Sequence, residues 1–466
     1  MVTEIRSINN GINTVSKLSS CSCTKCSGAH QKAIPAVPQP FILDDPQSPI
    51  LSASTPLPLL PTINMKHLIM SETADSELEK LHSTCKEWGF FQLVNHGVSS
   101  SLVEKLKSEI GEFYKLPLEE RIKYKMRPGD FEGYGLSPIR SEDQKLDWGD
   151  RFYMTTNPIH TRKPYLLPEL PPSLRDSLEC YLAELQKLAM MLLGFMAKAL
   201  KLEKGEMEEL FEDGKQSVRM TYYPPCPQPE LVMGLTPHSD ATGITILLQI
   251  NGVDGLQIKN DGVWIPVSFL PDALVVNIGD ILEAPYMLGS WVYTSIEHRA
   301  TVNAAKERIS IAMFFNPKSS AHIKPATSLT NPHNPSLFKQ VSMEKYVKDF
   351  FSRKLDGKCC MDPRNTIALR LVVLFLSYYG PFPLMTRGAL RYPEQLCPYF
   401  PKRDTWHALL SRSNSIRTPQ TDMWRAPLSG LPQGEAHPAI AHDPPPAERK
   451  DMNDGKSPLT ISDSRL

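Results

Sequence analysis

The sequence has no surplus of charge of either sign. Lys plus Arg and Asp plus Glu each number 51 in 466 residues, a formal net charge of zero. That removes the electrostatic case for a nucleic-acid or membrane partner. Long apolar runs are also missing. The best candidate for a membrane span, "IALRLVVLFLSYYG" at 367–380, is too short and is interrupted by Arg370, so no membrane span is expected. The opening "MVTEIRSINNGINTVSK" has no apolar stretch behind its charges, so no secretory signal is expected. Cysteine is sparse: nine residues, an odd count, scattered through the chain. That pattern fits reduced thiols in the cytosol better than a disulfide framework. A cytoplasmic monomer acting on a small molecule is expected. One cluster, "CSCTKCSGAH" with Cys21, Cys23, Cys26 and His30, has metal-ligand residue types. No apolar periodic segment surrounds it, as a closed structural zinc site requires, and it reads as part of a polar leader.

The pattern along the chain divides it into segments. Residues 1–59 form a polar, then proline-dotted leader without a packed core. Residues 60–165 alternate helical and strand patterns. "SELEKLHSTCKEW" spaces Leu78, Leu81, Cys85 and Trp88 as one helical face, with Ser76 as its N-cap. "FFQLVNHG" reads as a strand, and a second helix carries Leu102, Leu106, Ile110 and Phe113. A long support helix lies within 166–205, its apolar stripe running from Leu174 to Leu200. Ser173 and Asp176 resemble a capping box at its start.

From about 210 to 320 the period shortens. Runs such as "GITILLQI", "GLQIK", "ALVVNIG" and "RISIAMFF" are short strands separated by turn signals, the pattern of a sandwich or barrel-like β fold. A short helical segment, 321–358, follows. The tail 359–466 is proline-rich, with 14 of the 42 prolines in 361–466, and is expected to lack a packed core. Truncation after residue 358 is expected to leave a folded core. The fold class expected is α+β: a jelly-roll core with a helical N-terminal support domain.

Chemistry enters at "LTPHSDATG". His238 and Asp240 lie two apart on an extended segment, so both side chains point the same way. A histidine and an aspartate can share iron, share zinc, or simply occupy a turn. A third ligand must come from elsewhere, and His298 in "SIEHRATVN" is the best placed of the twelve histidines. "HRATVN" and "RISIAMFF" read as two strands of a hairpin, with Arg308 and Ser310 two apart on one face. A buried arginine beside a metal needs an anionic partner, and the far carboxylate of a 2-oxo acid suits its fork. Two histidines and one carboxylate form the facial set of non-haem Fe(II) sites, which leaves positions open for a chelating 2-oxo acid and O2. A catalytic zinc would instead want a nearby general base, and the sequence offers no clear one.

Those residues, together with "WGFFQLVNHGV", "KLDWGDRFYMTT", "RMTYYPPCPQPE", "GLQIKNDGVWIPV" and "NIGDILE", make residues 60–355 resemble the plant 2-oxoglutarate- and Fe(II)-dependent dioxygenases. The nearest branch in kind holds the senescence-related-protein-like, codeine O-demethylase-like and leucoanthocyanidin-dioxygenase-like enzymes. The resemblance implies a double-stranded β-helix. It implies that His238, Asp240 and His298 hold Fe(II), that Arg308 and Ser310 hold 2-oxoglutarate, and that Tyr223 bonds the carboxylate end of that co-substrate. It implies O2 as oxidant, ascorbate as reductant, and a small organic substrate that is hydroxylated, desaturated or O-demethylated, with release of succinate and CO2. A metal-dependent condensing enzyme and an inactive binding paralogue on the same scaffold are the alternatives.

Other polar residues read more plainly. His96 and Cys226 are taken as packing residues, Asp280 as a turn residue, and Glu297 as pointing away from the metal face. By the resemblance, Tyr134 in "EGYG" is a candidate wall of the substrate pocket, with plain core packing as the alternative. The sequence departs from the family at two places inside the match. Thr221 stands where the family carries Asn, which should weaken 2-oxoglutarate binding by ~1 kcal/mol for one lost hydrogen bond. "GDILEAPYMLGSWVY" is longer than usual between Asp280 and Tyr293. The surplus is expected to bulge over residues 284–291 at the pocket rim, putting Tyr286, Met287 or Trp291 near the entrance.

Overall fold

The computed structural model describes residues 36–44, 58–137, 144–203, 205–283, 292–323 and 341–351. All belong to the unit spanning 1–380. The leader's cysteine cluster, the expected bulge at 284–291 and the tail after 358 lie outside the described residues.

Two sheets face each other. The larger has eight strands: β1 (Thr62–Asn64), β2 (Phe90–Val94), β3 (Gly133–Gly135), β4 (Asp150–Asn157), β5 (Gln216–Tyr223), β7 (Ile244–Gln249), β10 (Leu274–Ile278) and β12 (Arg308–Phe315). Their order is β1-β2-β10-β7-β12-β5-β4-β3. The smaller sheet holds β6 (Leu235–His238), β8 (Leu256–Asn260), β9 (Val263–Pro266) and β11 (His298–Ala300) in the order β6-β11-β8-β9. The N-terminal half is therefore more than a helical support, because β1 and β2 extend one edge of the large sheet and β3 and β4 the other.

Strand alternation gives the large sheet two different faces. Val218, Met220, Ile244, Ile246, Ile309, Ile311 and Met313 point outward and are buried with Leu185, Leu188, Leu192 and Met196 of the helix Pro172–Ala199. The intervening residues of the same strands point inward to the smaller sheet. The helix Pro172–Ala199 passes as a membrane span by length and composition alone, which corrects the expectation that no segment does. Here its apolar stripe packs on the sheet.

Three local expectations are corrected. The helix Pro172–Ala199 starts on Pro172, whose fixed φ suits the first turn, with Pro171 at the N-cap. The Ser173 hydroxyl donates to Glu109 rather than capping. The helix Ala74–Glu87 starts after Thr73, with Ser76 already inside it. The third correction matters most. "HRATVN" and "RISIAMFF" are not a hairpin. β11 pairs with β6 and β8, whereas β12 pairs with β5 and β7. The connection 301–307 is short enough for a hairpin, and the Asn303 side chain accepts from the Ala305 and Lys306 amides as a tight turn requires. It nevertheless carries the chain from one sheet to the other. His298 and Arg308 thus face each other across the space between the sheets.

Candidate active site

Antiparallel pairing brings the distant histidines together. His298 of β11 lies directly opposite His238 of β6, with ring centroids 4.3 Å apart. Asp240 follows β6 by two residues and turns toward both rings. Its Oδ1 lies 3.5 Å from His238 Nε2 and 3.7 Å from His298 Nε2. One ligand atom from each of the three residues lies within 4.8 Å of the others.

The surroundings fix which atoms are offered. His238 Nδ1 donates to the Thr236 carbonyl at 2.8 Å, and His298 Nδ1 to the Ile296 carbonyl at 3.4 Å. A carbonyl only accepts, so both Nδ1 atoms carry a proton, and both Nε2 atoms face Asp240. His238 Nε2 is buried without a hydrogen-bond partner among the described residues. Burial pushes the His298 imidazole down, to about 4, and the neighbouring His238 pushes the same way against the opposing Asp240. Burial also works against charge on Asp240, but the two imidazoles and the Thr245 hydroxyl outweigh it and hold the carboxyl well below its usual range. Two imidazoles and one carboxylate, aimed at one point and with an unsatisfied buried nitrogen, fit a divalent metal such as Fe(II).

The other Asp240 oxygen is already used. Thr245 Oγ1 donates to Oδ2 at 2.6 Å and Asn277 Nδ2 at 2.9 Å. Thr245 and Asn277 are cross-strand partners in β7 and β10, so two neighbouring strands orient one carboxylate. The Asp280 amide donates to the Asp240 carbonyl at 2.7 Å, which holds the loop in place. Sequence reading missed Thr245 and Asn277. Their signal was a polar residue inside each of two otherwise apolar strand runs.

Across the same cavity β12 presents Arg308 and Ser310. In the ladder they stand opposite Tyr223 and Thr221 of β5, so alternation puts all four on the inner face. The cavity holds about 450 Å³ of empty space, open part included, and these four line it with Asp240 and His298. Arg308 is buried, its guanidinium carbon 5.1 Å from the Tyr223 ring centroid. Burial lowers its pKa, and Tyr223 opposes that. Arg219 and Phe90 also line the cavity, and neither was singled out from the sequence.

Tyr134 is a correction. It does not line this cavity. It is buried at 2% exposure with Phe113 and Phe152 around it. Arg121 Nη1 donates to its hydroxyl at 2.6 Å, and that hydroxyl donates to Asp150 Oδ2 at 2.6 Å. A buried ion pair, Arg121 to Asp150 at 3.6 Å, is bridged by the phenol. Tyr134→Phe should therefore lower stability by about 1–3 kcal/mol and leave the KM for 2-oxoglutarate unchanged. Chemical denaturation and initial rates check the two halves, and a changed KM with unchanged stability would return Tyr134 to the pocket.

The remaining polar residues have structural partners. His96 Nε2 meets the Asp272 carbonyl at 3.0 Å and its Nδ1 accepts from the Val98 amide at 3.1 Å. Cys226 is fully buried, its thiol pushed up to about 11 by burial, unsuited to a nucleophile. Glu297 turns outward to Lys259 at 2.7 Å. Asp280 accepts from Ser239.

Comparison with known proteins agrees with this geometry. Residues 60–173 match the family described as the non-haem dioxygenase in morphine synthesis N-terminal domain, and residues 214–317 match the 2OG-Fe(II) oxygenase superfamily. The chain is 50% identical to an oxoglutarate-dependent flavonoid 7-O-demethylase 1 of Ocimum basilicum over 66% of its length and 82% of the relative. It is 51% identical to codeine O-demethylase of Papaver somniferum over 65% of its length and 84% of that protein. Among solved structures, JOX2 in complex with 2OG, Fe and JA is 34% identical, with a TM-score of 0.63, covering 72% of this chain and 95% of that one.

Proposed function

The chain belongs to the 2OG-Fe(II) oxygenase superfamily, and from that premise we propose that it oxidises a small specialised metabolite of plant secondary metabolism, by O-demethylation or hydroxylation. The observation that carries the reading is the convergence of Asp240, His298, Arg308 and Ser310 on one cavity, with His238 completing the cluster beside Asp240 and His298. The O-demethylases among its relatives support the substrate class. The reading includes O2 as oxidant, ascorbate as reductant and a monomer in the cytoplasm, the last in keeping with the free thiols of Cys85, Cys180 and Cys226.

In this reading His238, Asp240 and His298 hold Fe(II), which supplies the redox chemistry coupling 2-oxoglutarate decarboxylation to substrate oxidation. The chain's own residues do the positioning. Arg308 offers two parallel donors to the far carboxylate of 2-oxoglutarate, and Ser310 and Tyr223 add hydroxyls beside it. Thr221 stands where the family carries a longer amide and leaves 2-oxoglutarate one hydrogen bond fewer. Thr245 and Asn277 hold Asp240 so that a single oxygen faces the histidines. Phe90, Leu247 and Leu256 wall the cavity and keep water from the reacting atoms.

The test is a screen of methoxylated flavonoids, alkaloids and hormone-like acids with Fe(II), 2-oxoglutarate and ascorbate, following succinate and formaldehyde. Succinate released with one of these compounds is the expected result, with formaldehyde beside it where a methyl ether is cleaved. Metal-dependent product without succinate would replace oxidation by condensation. Intact binding of 2-oxoglutarate with no turnover of any compound would contradict the substrate class.

A further inference from the structure

Arg308 has to reach across the cavity. It leaves β12 in the larger sheet, and its stem lies on the backbone just before β8 in the smaller one, at Gly255. A Cβ on Gly255 would stand 2.8 Å from Arg308 Cδ, 3.2 Å from its Nε and 2.9 Å from the Thr301 carbonyl oxygen. Carbon atoms pack at about 3.5–4.0 Å, so no side chain fits there without displacing the arginine stem. The glycine is not needed for its backbone angle, since Gly255 is absent from the residues of positive φ. It is needed for space. Nor can it easily give way, because its carbonyl accepts from the Thr301 amide at 2.8 Å and the Thr301 hydroxyl at 3.3 Å. Arg308 Nε has no acceptor among the described residues, so packing holds the stem up to that atom, and Tyr223 meets the guanidinium beyond it.

The ring that Arg308 faces is seated in the same manner. A Cβ on Gly234 would lie 2.9 Å from Tyr223 Cδ1, and one on Gly149 would lie 3.1 Å from the same atom. The two glycine segments are tied together, the Trp148 amide donating to the Met233 carbonyl at 2.8 Å.

We propose that Gly255 is a positioning residue for the co-substrate: the vacant place of its side chain fixes the aim of the Arg308 guanidinium, with Gly234 and Gly149 fixing the Tyr223 ring beside it. The inference rests on the reading that Arg308 holds 2-oxoglutarate. A misplacement near 1 Å at a binding group is costly, so Gly255→Ala should weaken 2-oxoglutarate binding by about tenfold or more while Fe(II) loading stays at the wild-type level.

The experiment titrates 2-oxoglutarate anaerobically into the Fe(II)-loaded full chain, following the visible charge-transfer absorption, for wild type, Gly255→Ala, Arg308→Ala and Gly111→Ala. Gly111, whose Cβ would meet nothing within 4 Å, is the control and should bind as wild type. Thermal unfolding of the metal-free single variants and of the double variant Gly255→Ala/Arg308→Ala completes a cycle. The proposal expects the Gly255→Ala penalty to shrink once the Arg308 side chain is gone, even if Gly255→Ala alone folds poorly. Strictly additive melting shifts would overturn it, as would wild-type affinity in Gly255→Ala beside weakened binding in Arg308→Ala. In that last case the reading of Arg308 stands and only the role of Gly255 falls. Wild-type affinity in Arg308→Ala would overturn both.

Discussion

His238→Ala, Asp240→Ala and His298→Ala are each expected to abolish 2-oxoglutarate turnover and Fe(II) retention while the protein keeps a cooperative unfolding transition. The expectation follows from the geometry of three donor atoms within 4.8 Å, since three protein ligands leave no reserve for this type of site. The three variants should differ in stability. Asp240 satisfies the Thr245 hydroxyl and the Asn277 amide through Oδ2. Removing it leaves both donors buried without that acceptor, at a cost of about 1–3 kcal/mol each. The histidine variants give up one backbone-carbonyl contact apiece and should lose less. Metal analysis and chemical denaturation check both orders. Near-normal succinate release from any one variant would remove that residue from the ligand set.

Arg308→Lys is expected to raise the KM for 2-oxoglutarate by at least about tenfold, roughly 1.4 kcal/mol. The site gives a lysine little to work with. Arg308 is 2% exposed, and its guanidinium lies against the Tyr223 ring. An ammonium has neither the planar fork that engages a carboxylate through two bonds nor the flat face that rests on a phenol. Fe(II) content should stay unchanged, because Arg308 is not among the three residues proposed to hold the metal. Initial rates over a 2-oxoglutarate series measure the effect, and an unchanged KM would make Arg308 a structural residue.

Much of the site was legible because it follows from strand geometry. The spacing His238-x-Asp240 puts both side chains on one side of an extended segment, and Arg308-x-Ser310 does the same on β12. The β-rich region and the long helix were legible from period alone. What could not be read was how the strands pair. The connection 301–307 carries the signals of a tight turn, and local signals do not say whether the next strand stays in its sheet or crosses to the facing one. The true pairing sets His298 beside His238 and Arg308 beside Tyr223, on opposite walls. Thr245 and Asn277 were equally hidden, because their role exists only once β7 and β10 are neighbours. Tyr134 misled for a related reason. It was a pocket candidate only by the resemblance, and it reaches Asp150 and Arg121 in the core, partners that the local sequence does not announce.

The most direct test of the account is spectroscopic. Anaerobic addition of Fe(II) and then 2-oxoglutarate to the purified chain should produce a visible charge-transfer band. That band should be lost in Asp240→Ala and should require markedly more 2-oxoglutarate in Arg308→Lys. No band in the wild-type protein, or a band of wild-type strength in Asp240→Ala, would contradict the assignment of this cavity as the iron and 2-oxoglutarate site.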